Sequence, residues 1–296
     1  MSNVQKTMQE RDMKKVTSKQ KVGKVVVQAL IYTFLIAMAI IVIFPFYWML
    51  ISSVKSLAEY KLAVPTLFPK EIHFSNYAEA FTTANLGRLF LNTLFVGLVS
   101  TLLSLVITVL SAFAFARLEF KGKNALFAAL LATMMIPGEL FTITNYVTVY
   151  NFRWMNTFTA LIIPFLVSVF YIYLLRQNFL QIPNELYLAA KVDGTGDLKY
   201  LWKVMIPLSL PTLISITILK MMGAWNSYVW PMMVTTTKEM RLITTGLRMA
   251  FTSEEGRTVQ GLQMAGSTIV TAPLLVVFIL LRKYIMRGVS RSGIKG

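Results

Sequence analysis

Six stretches of this chain, residues 25–51, 89–116, 125–149, 154–175, 212–237 and 258–281, each run for more than twenty residues with no more than one charge. A helix rises about 1.5 Å per residue and the hydrocarbon core of a bilayer is about 30 Å thick, so about twenty apolar residues suffice to cross it. The pattern therefore predicts an all-α polytopic membrane protein with six transmembrane helices. The third stretch is interrupted by Pro137, Gly138 and Glu139, and the fifth carries Lys220. Composition agrees: 56% of residues are hydrophobic and 14% charged, against roughly a quarter charged in a soluble domain.

The net charge of +16 does not point to nucleic acid, because the basic residues fall in short blocks between apolar runs and not on one polar face. They read as an orientation signal. Blocks 1–24, 117–123, 176–203 and 282–295 hold nineteen Lys and Arg, whereas the alternate connections 52–88, 149–158 and 235–257 hold nine. With an even number of spans, the positive-inside rule places both termini in the cytoplasm. Residues 1–24 form a basic cytoplasmic tail, 25–284 a single membrane domain and 285–296 a second cytoplasmic tail. The first apolar run is 27 residues long, too long for the core of a signal peptide, and reads as a retained helix. The chain has no Cys and one His, His73, which excludes disulfides and any His-cluster metal site.

One connection carries the marks of organised structure. Residues 181–211, QIPNELYLAAKVDGTGDLKYLWKVMIPLSLP, read as a cytoplasmic helix-turn-helix. Pro183 suits a first helical position and Glu185 the positive first turn. Asp193 and Gly194 supply a stop, because Gly accepts the left-handed conformation that closes many helices. Thr195 is placed to cap a second helix, in which Leu198, Leu201, Trp202 and Met205 recur at i, i+3, i+4 and i+7. Pro207 ends it. An apolar stripe on such a unit calls for another surface to cover it.

This loop resembles the EAA loop of binding-protein-dependent ABC importer permeases. Ala189, Ala190, Asp193, Gly194, Ile206, Pro207 and Pro211 match the motif, with Pro183 and Glu185 as its usual lead-in. Leu188 stands where the motif has glutamate, and Thr195 where a small Ala is usual. The likeness extends along the chain. FPFYWMLISSVKS (44–56), FSNYAEAF (74–81), AFAFARLEFKGK (112–123), AWNSYVWP (224–231) and the ending RGVSRSGIKG (287–296) resemble landmarks of the maltose-type sugar permeases. The resemblance implies a permease working with a second permease subunit, a dimer of ATP-binding subunits and an extracytoplasmic solute-binding protein to import a carbohydrate. It also implies that the loop couples to the ATPase through Pro183, Glu185, Leu188, Ala189, Ala190, Asp193, Gly194, Leu198, Trp202, Ile206 and Pro207. With Leu188 in place of the glutamate, apolar docking is expected to carry more of that contact.

No phosphate loop, dinucleotide turn or metalloprotease motif occurs, so this chain is not itself an enzyme. It holds no cofactor, and ATP with its Mg belongs to the partner ATPase. The basic blocks also suit contact with anionic lipid. Ionisable groups within a membrane default to functional hypotheses. Lys220 and Glu139 are therefore candidates for the translocation path, singly or as a pair; in the plainer reading Lys220 is satisfied by neighbouring helices and Glu139 sits at the outer interface. Trp225, Tyr228 and Trp230 suit either stacking on a sugar or anchoring at the interface, and Asn226 suits a bond across helices; Trp225 and Asn226 join Glu139 and Lys220 as candidates for the translocation path. Two other classes stand beside the importer. An ion-coupled secondary transporter would route coupling through Glu139 and Lys220, and a membrane scaffold would have no ATPase partner.

Overall fold

The computed structural model describes residues 3–251 and 260–290. The end of the C-terminal motif, residues 291–296, and the start of the sixth apolar run lie outside the described residues. Among the described residues every regular element is helical. Three helices are long and apolar enough to cross a membrane, Val25–Ser53, Leu86–Arg117 and Gly261–Arg282. Three helix pairs reach the same length only when taken together, each bent at a short break: Lys123–Thr133 with Gly138–Asn151 by 85°, Phe158–Phe165 with Val169–Leu180 by 47°, and Asp197–Leu208 with Leu210–Trp225 by 81°.

Each bend has a local cause. Pro137 lacks an amide hydrogen and disfavours helical geometry in the residue before it, so the helix that ends at Thr133 resumes only at Gly138. Pro164 lies in the short 3₁₀ turn Ile163–Phe165, after which the Ser168 hydroxyl accepts from the Tyr171 amide, 3.5 Å away, and restarts the helix. Pro207 and Pro211 flank Ser209, where the chain turns into Leu210–Trp225. The fourth apolar run is thus helical over residues 158–165 and 169–180 and not from 154, where a turn precedes it.

The fifth run departs most from expectation. Instead of one helix over 212–237, the chain forms Leu210–Trp225, stops at Asn226, resumes as Val229–Val234 and becomes extended at Thr235. Asn226 and Ser227 are weak helix formers that compete for backbone hydrogen bonds. Hydropathy averages over such a break without seeing it.

Leu86–Arg117 is the central helix, packed against Val169–Leu180 and Leu210–Trp225. Small residues bring the helices close: a Cβ added at Gly97 would lie 3.0 Å from the Met221 sulfur, and Ser100, Thr101, Ser104 and Thr108 are buried along the same helix. The first helix instead leaves its apolar side chains from Val25 to Phe46 uncovered, its packing being against Gln260–Ser290.

Candidate functional site

The segment 181–211 folds as a two-part knob at the Arg117 end of the central helix. Asn184–Val192 is helical with Pro183 as its N-cap, one position earlier than a first-turn proline, and Glu185 in the first turn. The Gly194 amide donates to the Lys191 carbonyl at 3.0 Å and the Thr195 amide to the Ala190 carbonyl at 2.8 Å. This is the paired closure of a Schellman motif, and it requires the left-handed backbone of Gly194, φ +70°. Thr195 is consumed in that closure and does not cap the second helix; Gly196 precedes that helix without a side-chain cap.

The second part runs as Asp197–Tyr200, a π-helical turn Leu201–Met205 and Ile206–Leu208. Pro207 therefore lies within the last turn and does not end the helix, which stops at Ser209. The wide turn also divides the expected stripe. Tyr200, Leu201 and Met205 are buried in a cluster with Phe113, Leu175, Phe179 and Ile216, while Leu198 and Trp202 are exposed. A π turn winds less per residue, so positions that share one face of an α-helix separate. Ala190, Ile206 and Tyr187 pack on the buried cluster. Leu188 is 55%, Val192 88%, Leu198 61% and Trp202 63% exposed, with Glu185, Ala189 and Asp193 also outward. Leu188 and Val192 share one helix face by their i, i+4 spacing.

Polar contacts lock the two parts. The Tyr187 hydroxyl donates to Asp197 Oδ1 at 2.7 Å, Lys191 Nζ lies 2.6 Å from the same oxygen, and the Tyr187 and Tyr200 rings are 5.1 Å apart. The Lys191 ammonium, and then the Tyr187 hydroxyl, hold the Asp197 carboxyl below its ordinary value. Asp197 holds the Lys191 ammonium above its own, and burial pushes the Tyr187 phenol up.

Arg117 fastens the knob to the membrane helices. Its side chain is buried and donates to the carbonyls of Phe179 at 2.9 Å and Ile182 at 2.5 Å, and to Asn184 Oδ1 at 3.3 Å. Arg176 adds a bond to the Phe115 carbonyl at 3.0 Å and lies 4.1 Å over the Phe127 ring. Neither arginine stood out in the sequence, where both counted as loop charge. The available signal was the position of Arg117 in the last turn of an Ala- and Phe-rich helix, where a cation also meets free carbonyls.

The in-membrane candidates do not gather. Lys220 Nζ donates to the Phe165 carbonyl at 2.5 Å, one of those freed where the fourth apolar run bends. It lines a cavity of about 390 Å³ with Ser100, Tyr171, Ser227 and Trp230. Glu139 is exposed in the 3₁₀ turn after Pro137, and no ion pair among the described residues joins it to Lys220. Trp225 is buried edge-on to Phe90 at 5.5 Å. Asn226 is exposed and closes its helix through its own amide, which donates to the Met222 carbonyl at 3.0 Å. The bond across helices expected of its side chain is not formed among the described residues. Trp230 Nε1 instead makes one, donating to the Ala160 carbonyl at 2.9 Å.

Residues 104–291 match the family model described as binding-protein-dependent transport system inner membrane component. The chain is 30% identical to the diacetylchitobiose uptake system permease protein of Streptomyces coelicolor, over 89% of this chain and 88% of that protein. It is 30% identical to the arabinooligosaccharides transport system permease protein of Halalkalibacterium halodurans, over 87% and 93%. A chain of a bacterial ABC transporter involved in the import of the acidic polysaccharide alginate shares the fold, with a TM-score of 0.80 and 24% identity over 88% of this chain and 96% of that one.

Proposed function

The chain belongs to the binding-protein-dependent transport system inner membrane components, the permease subunits of ABC importers, and on that premise we propose that it forms half of a carbohydrate path driven through the 184–208 knob by a partner ATPase. The carbohydrate reading is supported by the saccharide cargoes of both similar permeases. In this reading the three long helices, the first two bent pairs and the helix Leu210–Trp225 make six spans, with both termini and the knob, Asp197–Leu208 included, in the cytoplasm, as the basic blocks favour. A second permease subunit completes the path, and an external solute-binding protein delivers to it. ATP and Mg bind the partner subunit, and this chain is not catalytic.

One observation carries the mechanism: the knob is apolar on both sides, and only one side is covered. Leu188, Val192, Leu198 and Trp202 are exposed, while Tyr200, Leu201 and Met205 are fixed among the membrane helices. A surface of this kind outside the apolar spans calls for a docked partner. Because the buried face interdigitates with the central helix, displacement of the knob moves packed helices as a body. Arg117 and the Tyr187, Lys191 and Asp197 contacts resist the alternative, in which the knob yields and the helices stay. In the path itself, Lys220 and Trp230 face the 390 Å³ cavity; Glu139, Trp225 and Asn226 are not among its lining residues. Lys220 is spoken for by the Phe165 carbonyl, which disfavours a role in ion coupling.

The test is co-purification of an ATP-binding subunit. Val192→Asp introduces a charge at the most exposed large apolar side chain of the knob, leaves its buried face intact and is expected to abolish the association. Leu188→Glu, which restores the motif residue, is expected to keep it. Recovery of the ATPase with Val192→Asp at the level of the unaltered chain would overturn the proposed docking face.

A further inference from the structure

The Arg88 end of the central helix holds a second cavity, of about 780 Å³, whose lining includes Asn85, Arg88, Lys238, Glu239, Arg241 and Met249. Three cations and one carboxylate share this wall. No ion pair among the described residues includes any of the four. Among the described residues Arg88 Nε makes one long contact, 3.4 Å, to the Glu239 carbonyl. Arg241 Nε is shielded from solvent and has no hydrogen-bond partner among the described residues, a state it shares with Arg117 Nε, although a guanidinium normally satisfies its donors when it is withdrawn from water.

The backbone that carries two of the cations is anchored before any ligand arrives. Buried Asn92 donates to the carbonyls of Glu239 at 2.6 Å and Arg241 at 3.0 Å, and the Thr93 hydroxyl accepts from the Ile243 amide at 2.8 Å. Three bonds therefore tie the backbone of residues 239–243 to the central helix, while the Arg88, Lys238 and Glu239 side chains are exposed. That 32-residue helix starts at Leu86, and Asn85 places no side-chain cap on it, so its positive end opens on the same wall. Cations gathered around a concavity of a size ordinary for small-molecule sites suit an anion better than a neutral solute.

We propose that this cavity binds a soluble, saccharide-sized solute bearing a carboxylate or phosphate, held by Arg88, Lys238 and Arg241. The solute assignment rests on the importer reading; the charge arrangement does not. Binding is expected to be strongly salt-dependent, because the Debye length shrinks from about 8 Å to about 3 Å between 0.15 M and 1 M salt.

The test uses the full chain in phosphatidylcholine nanodiscs, with and without the ATPase subunit, and titrates trigalacturonate against the neutral maltotriose. The acidic trisaccharide should bind and the neutral one should not. Arg88→Gln with Arg241→Gln should weaken trigalacturonate roughly tenfold or more, the scale of lost charged hydrogen bonds, while Arg88→Lys with Arg241→Lys retains most of the affinity. Equal binding of both sugars, or equal affinity in the Gln and unaltered chains, overturns the proposal. So does abolition of trigalacturonate binding by phosphatidylglycerol in the nanodisc, which would assign the site to a lipid headgroup. The ATPase is scored in the same preparations. Its absence counts against the importer reading, whereas an intact complex indifferent to charge removes the anion site alone.

Discussion

The central helix carries an arginine near each end, roughly 44 Å apart by the helical rise, and the fold uses them oppositely. Arg117 is buried and donates to two carbonyls and a side-chain amide oxygen from the segment leading into the knob. Arg88 is exposed, with one long contact to a carbonyl. Withdrawn from water, Arg117 spends its two terminal nitrogens on protein oxygens and becomes a fastening, although its Nε has no partner among the described residues; a cation left open keeps its donors free for something that arrives. The contrast extends to the surroundings. The Arg117 end presents an apolar, unpartnered knob suited to a protein, and the Arg88 end a cationic hollow suited to a small anion.

The largest expected effect tests the fastening. Arg117→Met removes its bonds to the Ile182 carbonyl and the Asn184 amide oxygen, the Phe179 carbonyl keeping the Ile182 amide at 3.2 Å, and should destabilise the solubilised protein by about 2–3 kcal/mol, read as a lower Tm with weakened ATPase association. Arg88→Met should stay within about 0.5 kcal/mol. Similar losses for the two variants would break the comparison.

A smaller effect tests how firmly the cationic loop is seated. At Gly246, a Cβ would come within 2.5 Å of both Leu89 δ carbons, and Leu89 is itself buried. Gly246→Ala should therefore cost about 1–3 kcal/mol and loosen the 238–250 segment, seen as faster amide exchange there and unchanged exchange in the knob. A Tm equal to that of the unaltered chain would mean that the Arg88 end repacks freely and is not preformed.

The smallest effect concerns the lock within the knob. Asp197→Asn keeps an oxygen for the Tyr187 hydroxyl and loses the Lys191 ion pair, and Tm should fall by no more than about 2 °C, as for other partly exposed pairs. The Asp197 carboxyl is depressed, so its contribution is present above the ordinary carboxylate range and is lost as pH falls through the lowered folded value. Lys191 is raised, so its contribution is present below the ordinary lysine value and is lost as pH rises through the raised one. Stability of the knob should be flat between about pH 5 and pH 10. Asp197→Asn should flatten the acid limb, which a melt series in pH checks; an unaltered acid limb would show that the lock lies elsewhere.

Much of the site was legible as a pattern and not as geometry. Asp193 and Gly194 were readable as a stop, because a left-handed closure favours Gly whatever surrounds it. Leu198, Leu201, Trp202 and Met205 were read as one stripe and form two faces, because a π turn leaves no mark in hydropathy. Asn226 could be named as a polar group in an apolar run, yet whether it bonds across helices or ends one depends on what lies opposite. Arg117 and Arg88 are indistinguishable as letters.

The sequence by itself determined that this chain lies in a membrane, that it is helical and which loop is organised, because hydrophobic length, proline geometry and glycine freedom are properties of short segments. The tertiary structure alone decided which arginine is a fastening, which half of the stripe is buried, and that Lys220 meets a freed carbonyl and not Glu139. Those outcomes depend on what residues tens of positions away, up to about a hundred and fifty, bring to the same spot, and a charge or an apolar side chain takes its role from the neighbours that satisfy it or leave it open.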